Sequence, residues 1–75
     1  MDIHEIFAKR IRELRLTQGL SLRQLSAKLG LSYAAISLYE NRKRTPDIYT
    51  LSKFMAYFGV TGEYLMGLSD DPNKH

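Results

Sequence analysis

The chain has 75 residues, enough for one domain near the lower size limit for independent folding. It contains no cysteine, which excludes disulfide bonds and thiolate metal sites. Its 44% hydrophobic and 25% charged residues are ordinary for a soluble globular protein, and the longest apolar run, residues 54–60, is too short to cross a membrane. The polar N-terminus, which carries acidic residues, does not resemble a signal peptide, so we expect a cytoplasmic protein.

The net charge of +3 conceals an uneven distribution. Residues 9–44 contain nine basic and two acidic side chains, a local charge of +7 that leaves −4 for the rest of the chain. A polyanionic partner such as a nucleic acid would explain this basic span, and an ordinary solvated surface would explain it equally well. Charge alone therefore does not identify the partner.

The spacing of apolar residues predicts five helices and no strand. Asp2, with Glu5 three residues later, resembles a capping box and begins the first helix. The inner face of this helix is predicted from apolar spacings of four, four and three residues, at Ile3, Phe7, Ile11 and Leu14. Gly19 is predicted to end the helix.

Two short helices follow, joined by a turn of about three residues. The first is capped by Ser21 in a Ser-x-x-Gln pattern and ends at Gly30, and Ser32 caps the second. The side chains predicted to face inward are Leu22, Leu25 and Leu29, followed by Ile36 and Tyr39. Residues 22–41 therefore have the outline of a helix-turn-helix.

A polar loop, residues 42–47, precedes the last two helices. Asp47 is predicted to cap the fourth helix, Gly59 to end it, and Thr61 to cap the short fifth helix. The buried stripe predicted in the fourth helix is Ile48, Leu51, Met55 and Phe58, and the fifth helix carries Tyr64 and Leu65, of which Leu65 is expected to close the core. We place the domain at residues 1–68 and expect residues 69–75 to form a flexible C-terminal tail or the start of a linker.

The run from Arg10 to Leu65 resembles the Cro/repressor-type helix-turn-helix family, also called XRE-type or lambda-repressor-like. The resemblance rests on these motifs, in order and without gaps: IRELR (11–15), GLS (19–21), LSAKLGLS (25–32), IS-x-YEN (36–41) and FGV (58–60). It implies an all-α fold, a compact five-helix DNA-binding domain. It also implies that the second helix crosses the DNA backbone while the third lies in the major groove.

Carried over position by position, the resemblance assigns roles to three groups of side chains. The side chains implied to face the bases are Tyr33, Ala34, Ser37 and Leu38. Those implied to hold phosphates are Ser21, Arg23, Asn41, Arg42, Lys43 and Arg44. The pair Arg15 and Glu40 matches a salt bridge that links the first helix to the third.

Two positions depart from the family pattern. Leu22 stands where many members have a glutamine that contacts phosphate, which puts affinity or base readout in doubt. Arg42 stands where many members have glycine after the Glu-Asn pair. If Arg42 must adopt a positive φ, the strain is on the order of 1 kcal/mol.

The predicted base-facing side chains are small, apolar or hydroxyl-bearing. They cannot form the bidentate pairs with guanine or adenine that are each worth roughly 1–3 kcal/mol. Ala34 and Leu38 could contact thymine methyl groups, Ser37 could bond to several base edges, and Tyr33 could contact a phosphate, sugar or base. We hypothesise that thymine-methyl contacts and DNA shape supply much of the specificity. The alternative is that this face binds protein.

We interpret the chain as a sequence-specific double-stranded-DNA-binding transcriptional regulator, a repressor of phage or bacterial type. It would occupy a two-fold symmetric operator as a homodimer. Met66 and Leu68, beyond the last cap, are the predicted dimer contacts. The alternatives are an antitoxin or restriction-control regulator of the same fold, or an adaptor whose helix-turn-helix binds protein.

No catalytic motif, phosphate-cradling glycine loop or metal-ligand spacing is present in the sequence. The two histidines, His4 and His75, lie near opposite ends of the chain. We therefore expect no enzymatic activity, no cofactor and no metal. The segment after Met66 would also suit a hinge into a second domain.

Overall fold

The computed structural model describes residues 2–73, and within them the chain forms five α-helices and no strand. The helices are α1 (Ile3–Thr17), α2 (Leu22–Leu29), α3 (Tyr33–Glu40), α4 (Ile48–Phe58) and α5 (Gly62–Met66). The prediction of an all-α fold with five helices is confirmed. None of these helices is long and apolar enough to span a bilayer.

Every helix begins at the capping residue that the sequence indicates. The capping side chain in each case accepts a hydrogen bond from the backbone N–H three residues later, and the caps are Asp2, Ser21, Ser32, Asp47 and Thr61. At α2 the box is complete, because the Ser21 backbone also donates to Gln24 Oε1 at 2.8 Å. At Asp47, the backbone N–H of Thr50 holds the pKa of the carboxyl below its ordinary value.

The core is built around three aromatic rings from three helices. Phe7 of α1, Tyr39 of α3 and Phe54 of α4 meet edge to face, with ring centroids 5.4–6.1 Å apart. Such pairs each contribute about 0.5–1.5 kcal/mol beyond the apolar area that they bury. The aliphatic side chains around them are fully or nearly fully buried, and they are Ile11, Leu25, Leu29, Ile36 and Leu65.

The predicted buried stripe of α4 is wrong at its first position and omits the most buried residue. Ile48 is 86% exposed, whereas Phe54 is fully buried and Thr50 nearly so. Leu51, Met55 and Phe58 are half-buried at the edges of this face. Two apolar stripes of helical period run along α4, and contact with Phe7 and Tyr39 selects the one centred on Phe54.

The first turn of α1 also departs from the prediction, because Ile3 remains 48% exposed. Phe7 and Ile11 on the same stripe are buried, and Leu14 is half-buried against the core. Ile3 lies at the free end of the helix, beyond the helices that cover Phe7 and Ile11.

The C-terminal residues lie against the helices as far as Asn73. Arg10 of α1 donates to the carbonyl oxygens of Tyr64 and Ser69 and to Asp70, at 2.7 Å for Ser69 and 3.0 Å for Asp70. The backbone N–H of Thr61 donates to the Pro72 carbonyl at 3.0 Å. These contacts involve Ser69, Asp70 and Pro72 of the predicted flexible tail, and residues 74 and 75, including His75, lie outside the described range.

Gly67, between α5 and this segment, has no room for a side chain. Its φ is +82°, in the left-handed region that favours glycine. A Cβ at this position would also lie 2.9 Å from Cγ2 of Ile6, and closer still to its Cδ1. The chain therefore passes directly over α1 at this point.

Candidate nucleic-acid interface

The start of α3 is fixed by the turn that follows α2. Gly30 takes φ +68°, and the Leu31 N–H donates to the Ser26 carbonyl at 3.1 Å. Lys53 of α4 donates to the Leu29 carbonyl at 3.1 Å, which satisfies a free carbonyl at the end of α2. Sequence reasoning missed this role of Lys53, since no local pattern relates the two residues.

The last turn of α3 is tied to α1 by the ion pair between Arg15 and Glu40. Arg15 Nε lies 2.8 Å from Glu40 Oε2, and Arg15 Nη2 lies 3.0 Å from Oε1. Arg15 also donates to the Leu20 carbonyl at 2.8 Å, so one guanidinium joins α1, the α1–α2 turn and α3. The two side chains are only 11% and 6% exposed. The pair therefore fixes the orientation of α3.

The environment of Arg15 stabilises its charged form. The hydrogen bond to Glu40 raises the pKa of Arg15, and the negative charge of Glu40 raises it further. Burial acts in the opposite direction; it is smaller than the effect of the hydrogen bond and larger than that of the Glu40 charge. The Arg15 guanidinium therefore remains charged at any physiological pH.

The face of α3 opposite the core carries the side chains predicted to contact bases. Ile36 and Tyr39 are buried, whereas Tyr33, Ala34 and Leu38 are exposed, Tyr33 by 42% and Leu38 by 37%. The fourth predicted residue, Ser37, is half-buried. All four lie on one side of the helix, and the three exposed ones form a largely apolar surface.

The N-termini of α2 and α3 meet through Arg23 and Tyr33. The guanidinium carbon of Arg23 lies 4.5 Å from the centroid of the Tyr33 ring, within the range of a cation–π contact. The resemblance assigned Arg23 to phosphate and Tyr33 to bases, without relating them. The structure places both in one unit at the same edge of the interface.

Two of the predicted phosphate ligands also take part in bonds within the domain. The Ser21 hydroxyl oxygen accepts from the Gln24 N–H at 3.0 Å, and its own hydrogen can still be donated. Asn41 Nδ2 donates to the Ser37 carbonyl at 2.8 Å and to Ser37 Oγ at 3.2 Å. A phosphate contact from the Asn41 amide would compete with these bonds.

The basic loop after α3 begins with a Schellman turn. The Arg42 N–H donates to the Tyr39 carbonyl at 3.2 Å, and the Lys43 N–H donates to the Leu38 carbonyl at 2.9 Å. Arg42 has φ +62° and is the one non-glycine residue with positive φ in the described part of the chain. Arg42, Lys43 and Arg44 are all exposed, so their charges are available to a ligand.

The count of basic residues overstates the charge that is available for a polyanion. Arg15 is neutralised by Glu40, and Arg10 pairs with Asp70 while lying 4.2 Å from the centroid of the Tyr64 ring. The cations that remain close to the outer face of α3 are Arg23 and the loop residues 42–44. Sequence alone could not separate the two groups, because the partners of Arg10 lie 54–60 residues away.

The predicted dimer contacts flank the turn at Gly67. Leu68 is 70% exposed, and Met66 is half-buried. The Leu68 N–H donates to the Glu63 carbonyl at 2.8 Å, which holds its side chain at the end of α5. Leu68 is thus an exposed apolar side chain on an ordered backbone.

Known proteins share the sequence motifs and the fold of this chain. A helix-turn-helix family model matches residues 11–65. The transcriptional regulator PuuR of Escherichia coli is 42% identical over 66 residues, which cover 88% of this chain and 36% of PuuR. The chain spans 36% to 61% of the length of the curated relatives it matches.

Two solved structures share the fold. The hypothetical transcription factor NHTF from Neisseria has a TM-score of 0.79 at 25% identity, over 87% of this chain and 75% of that chain. The restriction-modification controller protein C.AhdI from Aeromonas hydrophila has a TM-score of 0.74 at 26% identity, over 83% of this chain and 94% of that chain. The chain therefore belongs to the Cro/C1-type helix-turn-helix family of transcriptional regulators, as its motifs predicted.

Proposed function

We propose that this chain binds double-stranded DNA in a sequence-specific manner and represses transcription by occupying an operator as a homodimer. The observation that carries the proposal is the exposed face of α3, held by the Arg15–Glu40 pair and followed by three exposed cations. Family membership supports a function in transcriptional regulation, because the relatives are named as transcriptional regulators.

In this mechanism α3 enters the major groove and the basic loop lies on the backbone. Tyr33, Ala34, Ser37 and Leu38 approach base edges, while Arg42, Lys43 and Arg44 neutralise phosphates. The start of α2, with Ser21 and Arg23, approaches a second stretch of backbone. A dimer bound to such a site would overlap a promoter and exclude polymerase.

Two copies bound to half-sites about one helical turn, roughly 34 Å, apart would give the required affinity. Leu68 and Met66 are the proposed contacts between copies. Changing Leu68 to Lys should abolish cooperative binding to a two-half-site duplex and leave binding to a single half-site unchanged. Ile48→Lys is the matched control, since Ile48 is equally apolar and 86% exposed but lies at the start of α4.

The test of sequence-specific binding is selection from a random duplex library at about 150 mM salt, followed by sequencing of the bound pool. A two-fold symmetric consensus is the expected result. A pool without enrichment would overturn specific DNA binding and would favour the adaptor that binds protein.

A second measurement separates phosphate contacts from base contacts. The logarithm of the association constant should fall with the logarithm of salt concentration, with a slope of about −0.9 per phosphate contact. The triple change of Arg42, Lys43 and Arg44 to Ala should flatten this slope by about three units. An unchanged slope would remove the loop from the phosphate interface.

Control of a restriction-modification system is a second candidate function. The similarity to C.AhdI favours it, because the matched region covers 94% of that controller, whereas it covers 75% of NHTF and 36% to 61% of the curated relatives. In this case the selected consensus should occur upstream of neighbouring restriction or methyltransferase genes. A consensus found only at other promoters would favour the general repressor.

A further inference from the structure

The outer face of α3, which would contact a DNA duplex, consists mainly of hydrocarbon groups. Ala34 and Leu38 are exposed and aliphatic, so they can neither donate nor accept a hydrogen bond. The hydroxyl oxygen of Ser37 already accepts from Asn41 Nδ2 at 3.2 Å. Base edges that approach the centre of this face would therefore meet mainly methyl and methylene groups, with the hydroxyl hydrogen of Ser37 as the polar exception.

The one large polar group of this face is held toward its edge. One face of the Tyr33 ring is covered by the Arg23 guanidinium, 4.5 Å from the ring centroid. A base therefore cannot stack on that face of the ring while the guanidinium lies there. Ala34 and Leu38 are then the exposed side chains of this face that can meet the bases only through hydrocarbon.

The feature of the major groove that matches aliphatic side chains is the methyl group on pyrimidine C5. Thymine carries this methyl group, and cytosine presents an amino donor without it. In 5-methylcytosine the same methyl group occupies the same position on the base. A reader that senses only the methyl group cannot distinguish 5-methylcytosine from thymine.

We propose that Ala34 and Leu38 read pyrimidine C5-methyl groups, so that 5-methylcytosine replaces thymine in the binding site. Cytosine methylation then converts a weak site into a strong one. The inference rests on the proposed function, since it requires α3 to lie in the major groove. Burying one methyl group should change affinity about four-fold.

The test uses the duplex consensus from the library selection and varies one contacted thymine position. Four matched duplexes carry T·A, U·A, 5-methylcytosine·G or C·G there, and dissociation constants are measured by fluorescence anisotropy at one salt concentration. The expected order is T·A equal to 5-methylcytosine·G, both binding about four-fold more tightly than U·A and C·G.

Two outcomes would overturn the inference while leaving sequence-specific binding intact. Equal binding of T·A and U·A would show that the methyl group is not read. Equal binding of 5-methylcytosine·G and C·G, with T·A stronger, would show that the methyl group on cytosine is not read and that 5-methylcytosine cannot replace thymine. A selection that yields no consensus would overturn both the inference and the proposed function.

A pair of variants assigns the methyl effect to this face. Ala34→Ser with Leu38→Ser replaces both aliphatic side chains at exposed positions, and it should reduce the four-fold methyl effect to near one. Lys43→Ala should weaken binding to all four duplexes by the same factor. A methyl effect that persists in the double variant would place methyl recognition elsewhere on the protein.

Discussion

The backbone strain at Arg42 should be removable by a single substitution. Arg42 occupies the left-handed position of a Schellman turn, with φ +62°. Glycine takes this conformation without steric cost, whereas any residue with a Cβ is strained there. We therefore expect Arg42→Gly to raise the free energy of unfolding, even though it removes a charged side chain.

The magnitude follows from two opposing effects. The left-handed conformation costs a non-glycine residue roughly 1–2 kcal/mol, and glycine loses roughly 0.5–1 kcal/mol more conformational entropy on folding. The net stabilisation is about 0.5–1 kcal/mol. For a domain of this size, 1 kcal/mol corresponds to an increase in Tm of about 4–8 °C.

Thermal unfolding followed by circular dichroism measures this effect, and Arg42→Ala is the matched control. Alanine removes the same charge but keeps a Cβ, so the difference between the two variants isolates the backbone. Equal Tm values for Arg42→Gly and Arg42→Ala would refute the strain argument. Both variants should flatten the salt slope of DNA binding by about 0.9, because both lose one cation.

Three further predictions concern stability. Glu40→Gln leaves the buried guanidinium without its counter-ion and should lower the free energy of unfolding in urea by about 3 kcal/mol. The control Glu13→Gln, at an exposed position, should change it by less than about 0.5 kcal/mol. Equal losses in the two variants would contradict the role of the ion pair. Gly67→Ala should lower Tm more than Gly19→Ala. Both glycines have positive φ, but of the two only Gly67 lies against another side chain, that of Ile6. The reverse order of Tm values would contradict this packing. The depressed pKa of Asp47 means that its ionised form contributes stability above the ordinary value of 3.8, a contribution lost as pH falls through the lower folded-state pKa. Asp47→Asn retains a capping oxygen and should be destabilising at pH 7, with a loss that shrinks as pH falls through the folded-state pKa of Asp47, as urea unfolding along a pH series would show.

Local features of the fold could be read from the sequence with little error. Ser21 and Ser32 begin helices because a side-chain oxygen bonds an N–H only three residues away. Gly30 and Gly59 end helices because a residue without Cβ takes positive φ there. Each of these contacts depends on neighbours in the chain, so the sequence contains the whole interaction.

The candidate site was predictable as a set of positions with one ion pair, Arg15–Glu40, but its other contacts were not predictable. The family resemblance placed Tyr33 and Leu38 on the base-facing side of α3, and both side chains are exposed. Nothing in the order of residues indicated that Arg23 lies over the Tyr33 ring or that Asn41 donates to Ser37.

The sequence by itself determined where helices begin and end, because capping and turn chemistry act within a few residues. Only the tertiary structure decided which stripe of α4 is buried, since Ile48 and Phe54 both fit a helical period. Phe54 is the buried residue because it packs against Phe7 of α1 and Tyr39 of α3. The tertiary structure likewise decided that Arg10 pairs with Asp70 at the C-terminal segment, leaving the basic surface to other side chains. The physical reason is the same in both cases: the partners are distant in sequence, and only the packed chain brings them within contact.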